Sequence, residues 1–390
     1  MCRSATMVVY RRAPTCKDPD LPGTPRYTRK IIFMKALFLL VSCFSIHALF
    51  AQADFFAANG KVVDVVSKQA LSGASVFCQN TTLGTVTNAE GTFSLKLPQG
   101  GYDLVVSYTG YETQTVHINS ATATGLSVEM KAADKTLSEV VISGSTEVAD
   151  GLAKYGKFFT GNFIGTTLNA DLCTIKNPEV LQFYYSKKRN RLKVKAKEDL
   201  IILNNALGYT IKYQLDSFSH DYSTDVSTYS GYPFFQEMEG SAEQKELWKN
   251  ARAVAYNGSR LHFMRAWYDS TLEEEGFAVE WVDSTRKSIT TVPVKNPYDS
   301  LHYIAAENND VEIDWPGKLR ILYKNERPSR KFLTQYKQPA SLAYQITIME
   351  INDAFIIEQN GYFYEQADIV NTGYWSWEKM ADLLPYDYNP

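Results

Sequence analysis

The residues best suited to bind a ligand lie beside a glycine at a predicted helix start. The first N–H groups of a helix are free to bind an anion, and an Arg and a His there would add donors for a phosphate or carboxylate. The candidate ligand-binding residues are Tyr256, Ser259, Arg260 and His262. A more common explanation is a helix–turn–helix corner, in which Gly258 ends one helix and Ser259 caps the next. That corner accounts for the glycine and the serine, but not for Arg260 and His262.

A second charged group is basic and has the spacing of a β-strand. It belongs to a predicted hairpin around residues 187–190, and the candidates for binding an anionic surface are Lys193, Lys195 and Lys197. Because alternate residues of a strand share a face, this face would be positive and could dock a lipopolysaccharide or an acidic glycan. The more common explanation is a solvated edge strand whose charges prevent edge pairing.

An acidic group has the same alternation. Asp310, Glu312 and Asp314 offer oxygen ligands of the kind calcium prefers. Carboxylates on one strand face are about 7 Å apart, too far for one ion without further ligands. We therefore expect a solvated face or cross-strand pairing with the basic hairpin, and neither a metal nor a cofactor.

The C-terminal segment is rich in aromatic residues, namely Tyr374, Trp375, Trp377, Tyr386 and Tyr388. Sugars stack on such rings, although a terminal helix docked through its aromatic side chains is more common. No pair of nucleophile and base is discernible, and no Gly-x-Ser-x-Gly motif occurs. The sequence thus predicts no catalytic residue and a non-enzymatic protein.

Composition narrows the class of partner. The net charge is −3 over 390 residues, which argues against bulk nucleic-acid binding. Of the five cysteines, Cys78 and Cys173 follow the predicted export signal. They could form one disulfide in an exported protein, but Cys78 shares the inward parity of its predicted strand, so a buried free thiol is equally compatible.

The N-terminal region indicates export. Met34 and Lys35 precede an apolar run over residues 36–51, with small residues at Ala51 and Ala53, the pattern of a cleaved secretory signal. We expect Met34 to be the true start, and residues 1–53 to comprise a doubtful extension and the signal. A lipoprotein cleavage box ending at Cys43 is the second alternative. If Met1 is genuine, the apolar run could anchor the chain in a bilayer. No spanning segment is expected after signal cleavage.

Residues 57–131 alternate apolar and polar side chains in short runs. Phe93, Leu95 and Leu97 show this period, as do Tyr102, Leu104 and the residues after them. Such a period predicts strands with one buried and one wetter face, separated by turns. We expect a small all-β sandwich.

Four motifs in this segment carry a family resemblance: Gly60-Lys-Val-Val-Asp, Leu71-Ser-Gly-Ala-Ser-Val, Leu83-Gly-Thr-Val-Thr-Asn-Ala-Glu-Gly-Thr-Phe and Gly101-Tyr-Asp-Leu-Val-Val-Ser-Tyr-Thr-Gly-Tyr. Their order resembles the carboxypeptidase regulatory-like domain. The resemblance implies a transthyretin-like sandwich of about seven strands that is an accessory module without catalytic residues. None of the five histidines has a Glu three residues later, so the zinc motif of the peptidases is absent.

The segment 132–151 is predicted to be a linker with a further resemblance. Lys135-Thr-Leu-Ser-Glu-Val-Val-Ile-Ser-Gly144 looks like the TonB box that follows this sandwich in outer-membrane importers. The candidate partner-contact residues are Glu139, Val140 and Val141. A closing strand followed by a polar linker is the alternative.

Residues 152–390 are predicted to form a mostly antiparallel α+β domain. Strands are expected at 180–185, 192–196, 200–203, 209–218, 277–282, 289–294, 311–313, 319–323, 344–351 and 354–357. Ser241 and Gln244 form a capping box for one helix, with an apolar stripe of Leu247, Ala251, Val254 and Ala255. A second helix runs from Ser259 to Gly276, and a last one covers 375–384. Residues 256–263, 314–319 and 373–385 resemble a group of exported two-domain proteins with the same sandwich and no assigned activity.

Three functions remain compatible with these observations. The first is a non-enzymatic binding or scaffold protein of the periplasm or outer-membrane surface, with a cell-surface glycan or an outer-membrane protein as partner. The second is an accessory component of a TonB-dependent importer. The third is a hydrolase with an unrecognised site near His262. The oligomeric state does not follow from the sequence.

Overall fold

The first seven strands form two sheets that share one core. They are β1 (Phe55–Asp64), β2 (Ser75–Cys78), β3 (Gly84–Val86), β4 (Thr92–Pro98), β5 (Tyr102–Ser107), β6 (Gln114–Ile118) and β7 (Leu126–Met130). One sheet has the order β4-β1-β7 with β1 and β7 parallel, and the other has the order β3-β2-β5-β6. Val62 and Leu97 of the first sheet lie in one buried cluster with Leu104 and Val106 of the second. The seven strands therefore build a two-layer sandwich.

The structure, a computed structural model, describes residues 55–133, 145–283, 290–306, 309–315, 317–364 and 366–390. Asp54–Pro390 forms one compact unit. The predicted signal, Cys43 and the importer-contact candidates Glu139, Val140 and Val141 lie outside the described residues. No helix of the described part combines the length and apolar character needed to cross a membrane.

The expected wetter face of the sandwich is covered. Val105 of β5 is fully buried, although it points away from the core that its neighbours Leu104 and Val106 enter. Phe77, its partner in register on β2, packs against Phe234 with ring centroids 5.3 Å apart. The prediction of a wetter face was thus wrong here, because the second half of the chain packs on this sheet.

A seven-stranded antiparallel sheet follows the sandwich. Its strands are β8 (Thr146–Glu147), β9 (Cys173–Ile175), β10 (Leu181–Ser186), β11 (Arg191–Ala196), β12 (Leu200–Asn204), β13 (Tyr209–Asp221) and β14 (Val226–Glu237). The two halves of β13 pair with β12 and β11 on one side, and β14 covers its other edge. The sequence did not predict β14, whose Ser, Tyr and Gly residues lack a clear apolar alternation. Pro233 is tolerated there because β14 is the edge strand of this sheet, a position where a missing N–H need not break the ladder.

Two further sheets complete the β structure. The strands are β15 (Phe277–Asp283), β16 (Thr290–Pro293), β17 (Tyr303–Ala305), β18 (Val311–Ile313), β19 (Gly317–Tyr323), β20 (Gln345–Ile351), β21 (Phe355–Ile357) and β22 (Ile369–Gly373). One sheet has the order β16-β15-β19-β20-β22, and the smaller one has the order β17-β18-β21. All their pairings are antiparallel. The described residues are thus mostly β with few helices, and the predicted antiparallel pairing after the sandwich is confirmed.

Five α-helices lie among the described residues: α1 (Gly151–Phe163), α2 (Ala242–Tyr256), α3 (Arg260–Tyr268), α4 (Arg330–Gln335) and α5 (Tyr374–Trp377). The predicted capping of α2 is confirmed, since the Ser241 side chain accepts a hydrogen bond from the Gln244 N–H. The predicted end of α3 at Gly276 was wrong, because the helix stops at Tyr268. The last predicted helix is instead one α turn and a separate 3-10 turn, Met380–Asp382.

The buried face of α2 also differs from the prediction. Leu247 and Val254 are 68% and 62% exposed, while Trp248 and Tyr256 are buried. Trp248 packs against Gly208 and donates from Nε1 to the Asn205 carbonyl over 2.9 Å. A glycine at the facing position makes room for the indole, and this pairing is not visible from periodicity alone.

Candidate functional site

A cavity of about 500 Å³ lies where the sandwich meets the rest of the chain. Its wall includes Gln79 and Asn80 of the β2–β3 turn, Tyr229 of β14, and Arg260 at the start of α3. The C-terminal segment closes it with residues of β22, α5 and the 3-10 turn. We call it the Arg260 cavity. Sandwich, sheet, helix corner and C-terminus are all needed to build it.

The cationic group of the cavity is not engaged by a carboxylate. The Arg260 guanidinium lies 5.2 Å from the centroid of the Phe363 ring, and no hydrogen bond or ion pair joins it to another described residue. Arg265, farther along the same helix, differs: it donates to the carbonyls of Asn360, Tyr386 and Tyr388 at 2.8–3.0 Å. Arg265 thus holds the C-terminal segment in place, whereas the donors of Arg260 are available.

Three acceptor oxygens of the cavity-lining residues lack hydrogen-bond partners. These three buried oxygens are Asn80 Oδ1, Asn371 Oδ1 and Asp382 Oδ2. Asn169 Nδ2 donates to the other carboxylate oxygen, Asp382 Oδ1, over 2.9 Å. A buried polar atom without a partner costs about 1–3 kcal/mol, so groups of this kind mark places where water or a ligand completes the hydrogen bonding.

The C-terminal side of the cavity is acidic. Burial, followed by the charges of Asp382 and Glu326, raises the pKa of Glu378 well above its usual range. Burial also raises the pKa of Asp382, although the neighbouring side chains of Thr167 and Asn169 act in the opposite direction. Lys379 between them has its pKa lowered by burial. This acidic group was not predicted from the sequence, because Glu326 lies more than 50 positions before Glu378 and its charge acts on Glu378 only in the folded chain.

The predicted quartet at the helix corner is divided by the structure. Ser259 and Arg260 line the cavity, while Tyr256 and His262 are absent from its lining. Residues two apart on a helix point in directions about 200° apart, so Arg260 and His262 face opposite sides of α3. His262 is 4% exposed and stacks on Tyr256 with ring centroids 4.7 Å apart.

Both ring nitrogens of His262 are used inside the corner. Nδ1 accepts from the Gly258 N–H over 3.1 Å, which leaves Nε2 to donate to Glu275 Oε2 over 3.0 Å. Burial lowers the pKa of His262, and Arg265 adds to this, against the opposing effect of Glu275. Ser259 Oγ accepts from the His262 N–H over 3.1 Å. The helix–turn–helix corner therefore explains His262 as well as Gly258 and Ser259. It does not explain Arg260.

The basic strand does not lie at a sheet edge. Lys193 and Lys195 belong to β11, which is paired with β10 on one side and with β13 on the other. The edge-strand explanation was therefore wrong. Lys193 and Lys195 are half-buried on the sheet face, and Lys197 is exposed just after the strand. None of the three lines the Arg260 cavity.

The acidic alternation of residues 310–314 surrounds β18. Within the described part of the chain, no cluster of three metal-ligating side chains occurs. Asp310 lines a smaller cavity of about 300 Å³ together with Glu358. Burial, and then the Glu358 charge, raises the pKa of Asp310 to about 6.

A histidine that the sequence did not single out joins the sandwich to the second half of the chain. His117 of β6 has Nδ1 3.2 Å from Asp103 Oδ1 and Nε2 3.2 Å from Glu358 Oε1, and Tyr364 contacts Nε2 as well. Burial lowers the pKa of His117, but the bonds and charges of Asp103 and Glu358 more than offset it, and the pKa rises to about 9. The sequence did not single out His117, because its partner Glu358 lies more than 200 positions farther along the chain.

The two cysteines of the described region are both free thiols. Cys78 is fully buried in the sandwich core, and burial raises its pKa. Burial also raises the pKa of Cys173 to about 12. The disulfide considered from the sequence is thus not formed.

Comparison with known families identifies the first segment. Residues 58–142 match the model of the CarboxypepD_reg-like domain, which confirms the resemblance inferred from the four motifs. A TonB-dependent receptor from Formosa agariphila is 37% identical over 111 residues, which are 28% of this chain and 10% of the receptor. The TonB-dependent receptor SusC of Bacteroides thetaiotaomicron is 32% identical over 117 residues, 29% of this chain and 11% of the receptor. The chain thus spans about a tenth of the length of these receptors.

Among solved structures, a DUF3823 family protein from Bacteroides ovatus is similar to part of the chain. The match covers 49% of this chain and 83% of that protein, with 12% identity and a TM-score of 0.17. A similarity at that score carries no argument about the fold or the function of this chain.

Proposed function

We propose that this chain, in which residues 58–142 form a CarboxypepD_reg-like domain, is an exported, non-enzymatic binding protein of the periplasm or outer-membrane surface, and that the Arg260 cavity is its ligand site. The observation that carries the proposal is the unpaired Arg260 guanidinium in a cavity with unpartnered acceptor oxygens. Ligand sites are concave and combine apolar walls with a few convergent polar groups. The cavity has both.

The arrangement around the helix corner supports binding over hydrolysis. A general base must reach the proton that it abstracts, yet His262 is buried, bonded through both ring nitrogens and directed away from the cavity. The similarity of the sandwich segment to TonB-dependent receptors supports a location at the outer membrane.

A glycan and peptide array tests this function. The purified protein is applied beside Arg260→Ala, with Arg189→Ala as a control that removes the same charge from the exposed hairpin turn. We expect selective binding that Arg260→Ala weakens and Arg189→Ala retains. Binding of equal strength in Arg260→Ala and in the unchanged protein, or capture of no ligand by any variant, would contradict a ligand site in this cavity.

The location is tested separately by sequencing the N-terminus of the protein recovered from cells. Cleavage after Ala51 or Ala53 would support a secreted form, whereas lipid attached to Cys43 would support an anchored one. Retention of Met1 in an uncleaved chain would contradict export by a cleaved signal.

A second candidate function is an accessory role in a TonB-dependent importer, favoured by the similarity to the two receptors. The contact would be made by Glu139, Val140 and Val141, outside the described residues. A double variant Val140→Ala, Val141→Ala is compared with Val66→Ala, Val292→Ala, which changes two exposed valines elsewhere. The importer role predicts loss of TonB pull-down only in the first pair, and equal pull-down in both would contradict it.

A further inference from the structure

We infer that the ligand of the Arg260 cavity is an acidic sugar, with the carboxylate of a uronic acid on the Arg260 guanidinium and sugar hydroxyls on the unpartnered oxygens around it. This inference rests on the proposed function, because it takes this cavity as the ligand site, and it adds the chemical class of the ligand.

The first step is the charge. Arg260 lies in the cavity wall, and among the described residues no carboxylate pairs with it. A guanidinium presents a planar fork of donors that matches a carboxylate with two parallel hydrogen bonds. The Phe363 ring lies beside the guanidinium, and such a contact limits its orientations without using its donors. A neutral ligand would leave this cation without a partner.

The second step is the set of acceptors. Asn80, Asn371 and Asp382 each present one buried oxygen without a donor. In the empty protein, water can satisfy these atoms, since the cavity is polar and large enough. A ligand that displaces this water keeps the hydrogen bonds only if it brings several donors. Sugar hydroxyls do so, whereas the tail of a fatty acid does not.

The third step is the apolar part of the wall. Phe363, Trp375 and Tyr386 line the same cavity. A sugar ring has an apolar C–H face that packs on an aromatic ring while its hydroxyls point sideways to polar groups. The volume of about 500 Å³ lies in the range of small-ligand sites and suits one or two sugar rings.

The acidic side of the cavity does not oppose an anion bound at Arg260. Burial favours the neutral form of the Glu378 carboxyl, which can then act as a hydrogen-bond donor. The carboxyls of Glu378 and Asp382 influence each other, while Arg260 instead acts on the hydroxyls of Tyr229 and Tyr386. The cation and the acidic pair come from different elements of the wall, the start of α3 and the C-terminal segment.

Calorimetric titration with a matched pair of disaccharides tests the inference. Digalacturonate and galactobiose differ in that carboxylates replace the CH₂OH groups, and trialanine provides a carboxylate without sugar hydroxyls. We expect digalacturonate to bind at least about tenfold more tightly than galactobiose, in keeping with a charge-assisted pair. Trialanine is expected to bind more weakly than digalacturonate.

The variants locate the two parts of the site. Arg260→Ala should reduce the affinity for digalacturonate to that for galactobiose and leave galactobiose unchanged, while Arg189→Ala should change neither. Asn371→Ala should weaken both sugars by about threefold, the effect of one hydrogen bond. Thermal unfolding of each variant verifies that the protein is folded.

The outcomes separate this inference from the proposed function. Equal affinity for both disaccharides, tighter binding of trialanine, or digalacturonate binding that is intact in Arg260→Ala would each overturn the acidic sugar. Binding of galactobiose or trialanine that Asn371→Ala weakens would still support the cavity as a ligand site. Failure of the folded protein to bind any of the three probes overturns the inference, and the array described above then decides the proposed function.

Discussion

His117 Nε2 lies 3.2 Å from Glu358 Oε1, across the junction between the sandwich and the rest of the chain. The Glu358 side chain is 2% exposed, so its charge would be costly without a cationic partner. On the other side of the ring, Asp103 accepts from Nδ1 and also receives the Tyr362 hydroxyl at 2.9 Å. A single imidazole thus connects a carboxylate of each half.

This arrangement predicts a loss of stability at alkaline pH. The pKa of His117 rises from 6.5 to about 9 in the folded protein, so the folded state binds the proton more tightly than the unfolded state. The contribution of His117 to the free energy of unfolding is therefore complete below pH 6.5 and is lost as the pH rises through 9.

His117→Gln should lower the free energy of unfolding by about 2 kcal/mol at pH 7 and flatten the decline of this free energy between pH 7 and 9.5. Urea denaturation at several pH values measures both. His302→Gln is the control: among the described residues, the His302 ring bonds to a backbone carbonyl and lies beside the Trp315 ring, and this variant should keep the decline. An unchanged decline in His117→Gln would contradict the role of this histidine.

His262 predicts the opposite pH dependence. Burial lowers its pKa, so the unfolded state binds the proton more tightly, and stability falls as the pH drops below about 6.5. His262→Ala leaves the Gly258 N–H without its acceptor, and we expect a loss of about 1–3 kcal/mol at pH 7.5, with a weaker decline toward pH 5. Sugar affinity of the folded variant should be unchanged. Loss of binding at unchanged stability would instead place the imidazole at the ligand.

Gly258 is required at the helix corner for two separable reasons. Its φ is +77°, and a Cβ there would lie 2.5 Å from Cδ1 of Tyr323. Gly73 has nearly the same φ, +79°, with nothing within 4 Å of its Cβ position, so it is a matched control for backbone strain alone. Gly73→Ala should cost about 1 kcal/mol and Gly258→Ala about 3 kcal/mol or more, as measured by chemical denaturation. Equal losses of stability in the two variants would show that the Tyr323 side chain moves away from the added methyl group without a measurable cost.

The corrected face of α2 is tested by two neighbouring substitutions. Trp248→Ala removes a buried indole and should cost about 3–5 kcal/mol. Leu247→Ala removes a side chain that is 68% exposed and should change the free energy of unfolding by less than about 0.5 kcal/mol. If Leu247→Ala lowered the free energy of unfolding more than Trp248→Ala, the buried face of α2 would be the apolar stripe expected from the sequence.

Most local features were predictable because they depend on nearby residues. Ser241 and Ser259 cap their helices as expected, and the sandwich follows from strand alternation and turn residues. What failed depends on distant packing. The apolar alternation could not show that Phe234, more than 120 positions away from Val105, would cover the outer face of the sandwich. Strand β14 was missed for a similar reason, since its pairing with β13 rather than its composition defines it.

The candidate site was half predictable. The corner motif drew attention to Arg260 because a glycine and a serine do not explain an arginine. Helix geometry alone predicts that His262 and Arg260 point to opposite sides of α3. The bond from His262 to Glu275 was not predictable, because Glu275 lies beyond the end of the helix. The unpartnered oxygens of Asn80 and Asp382 are 302 residues apart, and only the folded chain brings them to one wall.

The backbone of Asn80 is bonded on both sides: its N–H donates to the Pro233 carbonyl over 2.7 Å and its carbonyl accepts from the Tyr386 N–H over 2.8 Å. The sandwich therefore forms part of the cavity wall. Ligand binding in the cavity and the association of the sandwich with the rest of the chain are then thermodynamically linked. If the cavity binds a ligand as proposed, that ligand stabilises the contact between the sandwich and the rest of the chain, and separating the two weakens ligand binding to the same extent.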